Sequence, residues 1–192
     1  MLLVDRKALL TIAPLWRLGF RPFFLGGAVF ALVGIAAWAA VLLGLLPAWQ
    51  PLGGWLAWHR HEMLFGFAAA IIAGFLLTAV QTWTGRPGVC GRPLMVLSLV
   101  WLAARIGWLV GAPLWLVTVL ELTFMPALAF FIGRSLWQVR QKRNYPVIAV
   151  LSLMTLADAL VMAGIWTGND GWQRGGALAA LWLVAALMGL IG

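Results

Sequence analysis

Two histidines and a glutamate stand within four residues of one another, at the start of a long apolar segment. His59, His61 and Glu62 belong to the sequence WHRHEM at 58–63. A neutral imidazole is a common ligand for haem iron and for copper, and a neighbouring carboxylate can orient the ligating ring. A metal site with His59 and His61 as ligands and Glu62 as the orienting acceptor is therefore chemically reasonable, although the spacing alone does not favour it. Two solvated histidines at a membrane surface are the alternative interpretation.

A stripe of small residues follows this cluster. In a helix successive residues turn by about 100°, so His59 and Glu62 are predicted to share a face with the stripe while His61 points nearly the opposite way. Small residues four apart allow another helix, or a flat macrocycle, to approach the backbone closely. Helix packing alone would also explain them. The stripe consists of Gly66, Ala70 and Gly74.

Three further ionisable residues lie inside apolar segments, where an unpaired charge costs at least about 2.5–3.5 kcal/mol. Arg105 precedes the turn at 111–113 and Glu121 follows it, at similar distances along the sequence. At about 1.5 Å per residue the two side chains reach similar depth, so they are predicted to pair across a helical hairpin. The pair is either a purely structural ion pair or part of a site.

Asp158 has no basic residue on its own predicted helix, and Met162 follows it by four positions, on the same face. Three interpretations stay open for this carboxyl group. It is neutral, it is a second acid for Arg105, or it lines a cofactor or proton path.

The composition excludes an ordinary soluble fold. Of 192 residues, 64% are hydrophobic and 9% charged, whereas soluble domains carry about 25% charged residues. The formal charge of +8 therefore favours an anionic bilayer as partner, and no nucleic acid is expected. Cys90 is the one cysteine, which excludes an intrachain disulfide and a cysteine-based zinc module.

Proline, glycine and charged residues divide the chain into six apolar segments, each long enough for one membrane crossing. The predicted fold class is all-α, a polytopic integral membrane helical bundle forming one domain over residues 1–192. Residues 1–22 are expected to lie at the cytoplasmic interface, and the first run is expected to be a retained span and not a cleaved signal peptide. The predicted spans are near 23–46, 63–83, 94–112, 113–133, 147–167 and 176–192.

The basic residues predict the orientation, because Lys and Arg in short loops stay in the cytoplasm. Arg60 and Arg174 fall on the opposite side, and Arg105 lies within the third span. Both termini are therefore expected to be cytoplasmic, with the loop at 50–61 outside. The ten residues on the cytoplasmic side are Arg6, Lys7, Arg17, Arg21, Arg86, Arg92, Arg134, Arg140, Lys142 and Arg143.

Four segments in this order resemble the NnrS family, whose members are bacterial inner-membrane proteins. The segments are LWRLGFRPFF at 15–24, WHRHEMLFG at 58–66, AGFLLTAV at 73–80 and WTGRP at 83–87. The resemblance implies haem and copper as cofactors and a role in resisting nitric oxide and nitrosative stress.

The resemblance also bears on the site residues and on the length of the chain. Where the family pattern has Asn and His in the fifth span, this chain has Asp158 and Met162. Met162 is a possible ligand of haem iron or Cu(I). A second six-helix half after Gly192, or assembly of identical copies, is expected to complete the protein.

The leading hypothesis is a pocket on the external side that binds haem, with copper as a second metal. His59 and His61 are the expected metal ligands, Arg105 is suited to a haem propionate, and Glu121 and Asp158 would support the pocket. Two histidines are too few for an oxidase-type haem–copper centre, so a complete enzyme is not expected. Half of a secondary transporter, using the embedded charges, is the main alternative. A purely structural membrane subunit is the third.

Overall fold

The computed structural model describes residues 11–191, and six long helices make up most of that range. All six are long and apolar enough to cross a membrane, which confirms the predicted helical membrane bundle. Within residues 11–191 there is no β-strand. Arg6 and Lys7, two of the residues that predict the orientation, lie outside the described residues. The helices are α1 Phe20–Leu42, α2 Trp55–Thr84, α3 Arg92–Val110, α4 Leu114–Gln138, α5 Tyr145–Thr167 and α6 Asp170–Ile191.

Two helices begin earlier than the apolar pattern predicts. Helix α2 begins at Trp55 and not at residue 63, so the histidine cluster is already helical. Polar side chains interrupt the apolar pattern here, but His61 and Glu62 have partners inside the bundle. Helix α6 begins at Asp170 and not at residue 176, because the side chain of Asn169 accepts a hydrogen bond from the Trp172 backbone N–H at 3.1 Å and so caps the helix.

The predicted hairpin between the third and fourth spans is confirmed. Helix α3 ends at Gly111, whose φ of 68° is left-handed, a conformation that glycine adopts without steric cost. Pro113 then leads into α4.

Contacts at the two ends of the bundle join segments that are distant in sequence. The indole of Trp49, in the loop after α1, donates to the Leu109 carbonyl at 2.9 Å. At the other end of the bundle, the Gly91 N–H donates to the Trp16 carbonyl at 2.8 Å. Segments predicted to lie on the same side of the membrane are therefore in contact.

Helix α2 is the most buried of the six, and its stripe of small residues packs against α1. A Cβ on Gly66 would lie 2.8 Å from the Phe30 ring, and one on Gly74 would lie 2.7 Å from the Phe24 ring. Ala70 is fully buried and faces Gly27. Since α1 fills the space over the stripe, the small residues serve helix packing and not the approach of a macrocycle.

A π-helical segment, Glu62–Ala68, interrupts α2 directly after the histidines. A π-helix has more residues per turn than an α-helix and often occurs at functional sites. It lowers the angle between successive side chains below the 100° assumed from the sequence. His61 and Glu62 accordingly contact each other inside the bundle, so the prediction that His61 turns away from the face of Glu62 is wrong.

Helices α5 and α6 approach most closely at Gly176. A Cβ there would lie 2.5 Å from the Ala157 carbonyl oxygen and 3.0 Å from the Val161 backbone nitrogen. Backbone atoms cannot move aside as a side chain does, so the contact requires glycine. At Gly189, near the end of the same helix, a Cβ would meet nothing within 4 Å.

We expect Gly176→Ala to lower the thermal unfolding midpoint in detergent, because the added methyl group forces α5 and α6 apart. Gly189→Ala is the matched control, and it should keep or raise the midpoint, since alanine favours a helix by about 1 kcal/mol over glycine. Circular dichroism at 222 nm, recorded during heating, measures both. A midpoint for Gly176→Ala at or above that of the unaltered protein would contradict the close packing.

Candidate metal centre

Five ionisable side chains from four helices meet in the interior of the bundle. Each is at most 4% exposed. Counted from the ends of their helices on the predicted external side, at about 1.5 Å per residue, they lie roughly 8–14 Å deep. They are His61 and Glu62 on α2, Arg105 on α3, Glu121 on α4 and Asp158 on α5.

The His61 ring lies between two carboxylates. Its Nδ1 is 3.1 Å from Glu62 Oε1, and its Nε2 is 3.0 Å from Asp158 Oδ1. The rings of Phe65 and Trp108 pack against the imidazole, with centroids 5.1 and 4.9 Å away. A neutral imidazole has one N–H, so one of these two contacts requires a proton or a metal ion between nitrogen and oxygen.

Arg105 forms the predicted ion pair with Glu121 across the α3–α4 hairpin. The Trp108 indole N–H donates to the same Glu121 oxygen at 2.7 Å. On its other side, Arg105 Nε lies 3.3 Å from Glu62 Oε2. The guanidinium carbon lies 5.8 Å from the centre of the Phe30 ring. The second acid for Arg105 is thus Glu62 and not Asp158.

Gly66 makes room for the Arg105 side chain. A Cβ at position 66 would lie 2.6 Å from Arg105 Nη1 and 3.1 Å from Glu62 Oε2. Three buried atoms at this place have no hydrogen-bond partner: Arg105 Nε, Arg105 Nη1 and Glu62 Oε2. The contact between Nε and Oε2 is within ion-pair distance but lacks hydrogen-bond alignment. The cluster therefore contains buried donor and acceptor atoms that make no hydrogen bond.

The partner of Asp158 is His61, on a helix 97 positions away in the sequence. Sequence reasoning missed this pairing, because it compared Asp158 only with Arg105. The sequence also placed His61 before the start of the second span; with the observed start at Trp55, both side chains lie inside the bundle toward the same end.

The two histidines occupy different surroundings. His59 is half-buried and stacks on the Trp38 indole of α1, with ring centroids 4.3 Å apart. Its Nδ1 is buried, and no described residue forms a hydrogen bond with it. The structure does not place His59 among the carboxylates that surround His61. Met162 is also buried, one helical turn beyond Asp158, and packs in an apolar cluster with Trp58 and Trp108.

The cluster has the donors that a metal ion needs. One ligand atom each from His61, Glu121 and Asp158 lies within 4.8 Å of the other two. Imidazole and carboxylate together suit first-row transition metals. Glu62 on Nδ1 would orient the ring and leave Nε2 to the metal, the role that the sequence assigned to it. Copper, which the family resemblance implies, therefore fits this donor set.

Haem does not fit at His61. The ring is fully buried, both nitrogens face carboxylates, and aromatic rings cover it. Arg105, expected to reach a haem propionate, pairs with Glu121 and Glu62 instead, and its Nη1 has no hydrogen-bond partner. Two outward grooves, of about 370 and 490 Å³, have mostly apolar linings without a histidine, and the smaller one also reaches Ser98 and Arg105. His59 is the histidine left with a nitrogen free for haem iron.

Replacing Arg105 by Met should destabilise the protein by about 3–5 kcal/mol, because Glu121 and Glu62 would keep buried charges without a cation. Arg60→Met is the matched control. Arg60 pairs with Asp170 at 3.4 Å at the surface, so its loss should cost less than about 1 kcal/mol. The free energy of unfolding in mixed micelles measures both.

The double variant Arg105→Met/Glu121→Met should be more stable than Arg105→Met alone, since it removes one of the stranded charges with its partner. Equal loss in Arg105→Met and Arg60→Met would contradict the account of a buried, coupled network.

Comparison with known proteins agrees with the resemblance found in the sequence. Among curated proteins and among solved structures, no match to the chain is found. The family model for the NnrS protein matches residues 14–192. This range contains every helix described above and all five members of the buried cluster. The chain therefore belongs to the NnrS family.

Proposed function

We propose that this protein is a membrane metalloprotein in which His61, Glu121 and Asp158 hold a transition-metal ion, with copper as the first candidate. The observation that carries the proposal is the His61 ring fixed between two carboxylates, with a third carboxylate close enough to complete a three-donor site. A metal ion with an open coordination position offers a binding site for a small diatomic ligand. The family resemblance makes nitric oxide that ligand and the nitrosative-stress response its setting.

Haem is the second cofactor that we propose, with His59 as its axial ligand. His59 has no hydrogen-bond partner among the described residues, and it lies near the external end of α2. Because Nδ1 is buried and the ring stacks on the Trp38 indole, the ring would have to leave that indole to bind haem iron through this nitrogen. Haem and metal ion would then occupy separate sites on the two sides of α2.

We further propose that the protein resides in the bacterial inner membrane with both termini in the cytoplasm. The excess of basic residues on one side supports this orientation, as do the contacts between segments assigned to the same side. It places the metal cluster nearer the external face. Labelling of Cys90 by a membrane-impermeant thiol reagent in intact cells would contradict the orientation.

Half of a secondary transporter is the alternative, and the gathering of five ionisable side chains at one depth favours it. A transporter needs these groups to face a path across the membrane. In the described residues they face one another instead, and the groove that reaches Arg105 is lined by outward apolar side chains of α1 and α3. The metal site is therefore the better-supported function.

We expect His61→Ala to abolish metal binding and His59→Ala to lower haem occupancy, each with little effect on the other cofactor. The two readouts are metal content by mass spectrometry and the haem absorption spectrum of the purified protein. Ser98→Ala, a buried polar change on α3 in which Ser98 bonds its own helix, is the control and should change neither. Unchanged haem and metal content in both histidine variants would remove these ligand assignments.

A further inference from the structure

We infer that the His61–Glu121–Asp158 site selects a divalent cation and discriminates against Cu(I). The inference rests on the proposed metal-binding function and specifies the class of ion. It follows from the formal charge of the buried cluster and from the chemistry of the donor atoms.

The charge of the cluster leaves room for two positive charges. Three carboxylates, on Glu62, Glu121 and Asp158, face one guanidinium, on Arg105. With the three carboxylates ionised and the imidazole neutral, as metal ligands must be, the formal charge is −2. All five side chains are at least 96% buried, so water cannot screen the excess. A divalent ion brings the cluster to neutrality, whereas a monovalent ion leaves it at −1.

The position of that positive charge is set by His61. With Nδ1 donating its proton to Glu62 Oε1, the lone pair of Nε2 points at Asp158 Oδ1 from 3.0 Å. Two lone pairs at this distance repel unless a cation lies between them. Glu121 is the third donor within reach. Glu62 Oε2 lies 3.3 Å from Arg105 Nε but has no hydrogen-bond partner among the described residues.

The donor atoms, like the charge of the cluster, favour a divalent cation over Cu(I). One nitrogen and two carboxylate oxygens are hard or borderline ligands, which suit Cu(II), Zn(II), Fe(II) and Mn(II), whereas Cu(I) prefers thiolate and thioether sulfur. Met162 offers a thioether sulfur four positions after Asp158 on α5, but its side chain packs in the apolar cluster with Trp58 and Trp108. A Cu(I) site would require Met162 to join His61, so Met162→Leu separates the two kinds of site.

The test is equilibrium metal binding by the full chain in detergent, after removal of bound metal with a chelator. Zn²⁺, Cu²⁺, Mn²⁺ and, under reducing conditions, Cu⁺ are titrated in competition with chromophoric chelators. We expect the divalent ions to bind in the order Cu²⁺, Zn²⁺, Mn²⁺, and Zn²⁺ to bind at least tenfold more tightly than Cu⁺. Asp158→Asn and Glu121→Gln, which keep the shape but remove a charge, should each weaken Zn²⁺ binding by about 10–100-fold.

Met162→Leu should leave the affinity for Zn²⁺ unchanged, and it serves as the matched control on α5. Binding of Cu⁺ more tightly than Zn²⁺, with loss of Cu⁺ binding in Met162→Leu, would overturn the inference while leaving the metal-binding function intact. Zn²⁺ binding that is unaffected by Asp158→Asn and by Glu121→Gln would also overturn it. Failure of the unaltered protein to bind any of the four ions would instead overturn the proposed function, with protons then supplying the positive charge.

Discussion

The ion pair between Arg105 and Glu121 lies within the apolar interior of the bundle, and the rest of the cluster is arranged around it. Charges at this depth are stable only when partners surround them. Glu62 lies against the other side of the guanidinium and so links α2 to α3, and His61, which also contacts Glu62, links α2 to α5 through Asp158. The requirement to pair these charges thus fixes α2, α3, α4 and α5 relative to one another.

The fold supplies the space that this arrangement needs. Gly66 leaves room for the guanidinium, and the π-helical segment Glu62–Ala68 allows two successive residues of α2 to face the interior. Both features interrupt an otherwise regular helix at the place where the charges meet. Such interruptions cost stability in a helix that only packs, which supports a functional origin for the cluster in this NnrS-family protein.

Much of this architecture follows from local sequence properties. Hydropathy predicted the six helices, Gly111 and Pro113 predicted the α3–α4 hairpin, and equal depth predicted its ion pair. The direction of His61 toward the face of Glu62 was not predicted, because a π-helix depends on tertiary contacts that residue spacing does not contain. The partner of Asp158 was not predicted either, because His61 lies on a helix distant in sequence.

The most direct test of the metal centre is X-ray absorption at the zinc K-edge of the zinc-loaded protein. Zinc held by His61, Glu121 and Asp158 should give a shell of nitrogen and oxygen at about 2.0–2.2 Å with the outer scattering of one imidazole, which His61→Ala removes. A sulfur shell at about 2.3 Å, or an imidazole signal that survives in His61→Ala, would contradict it.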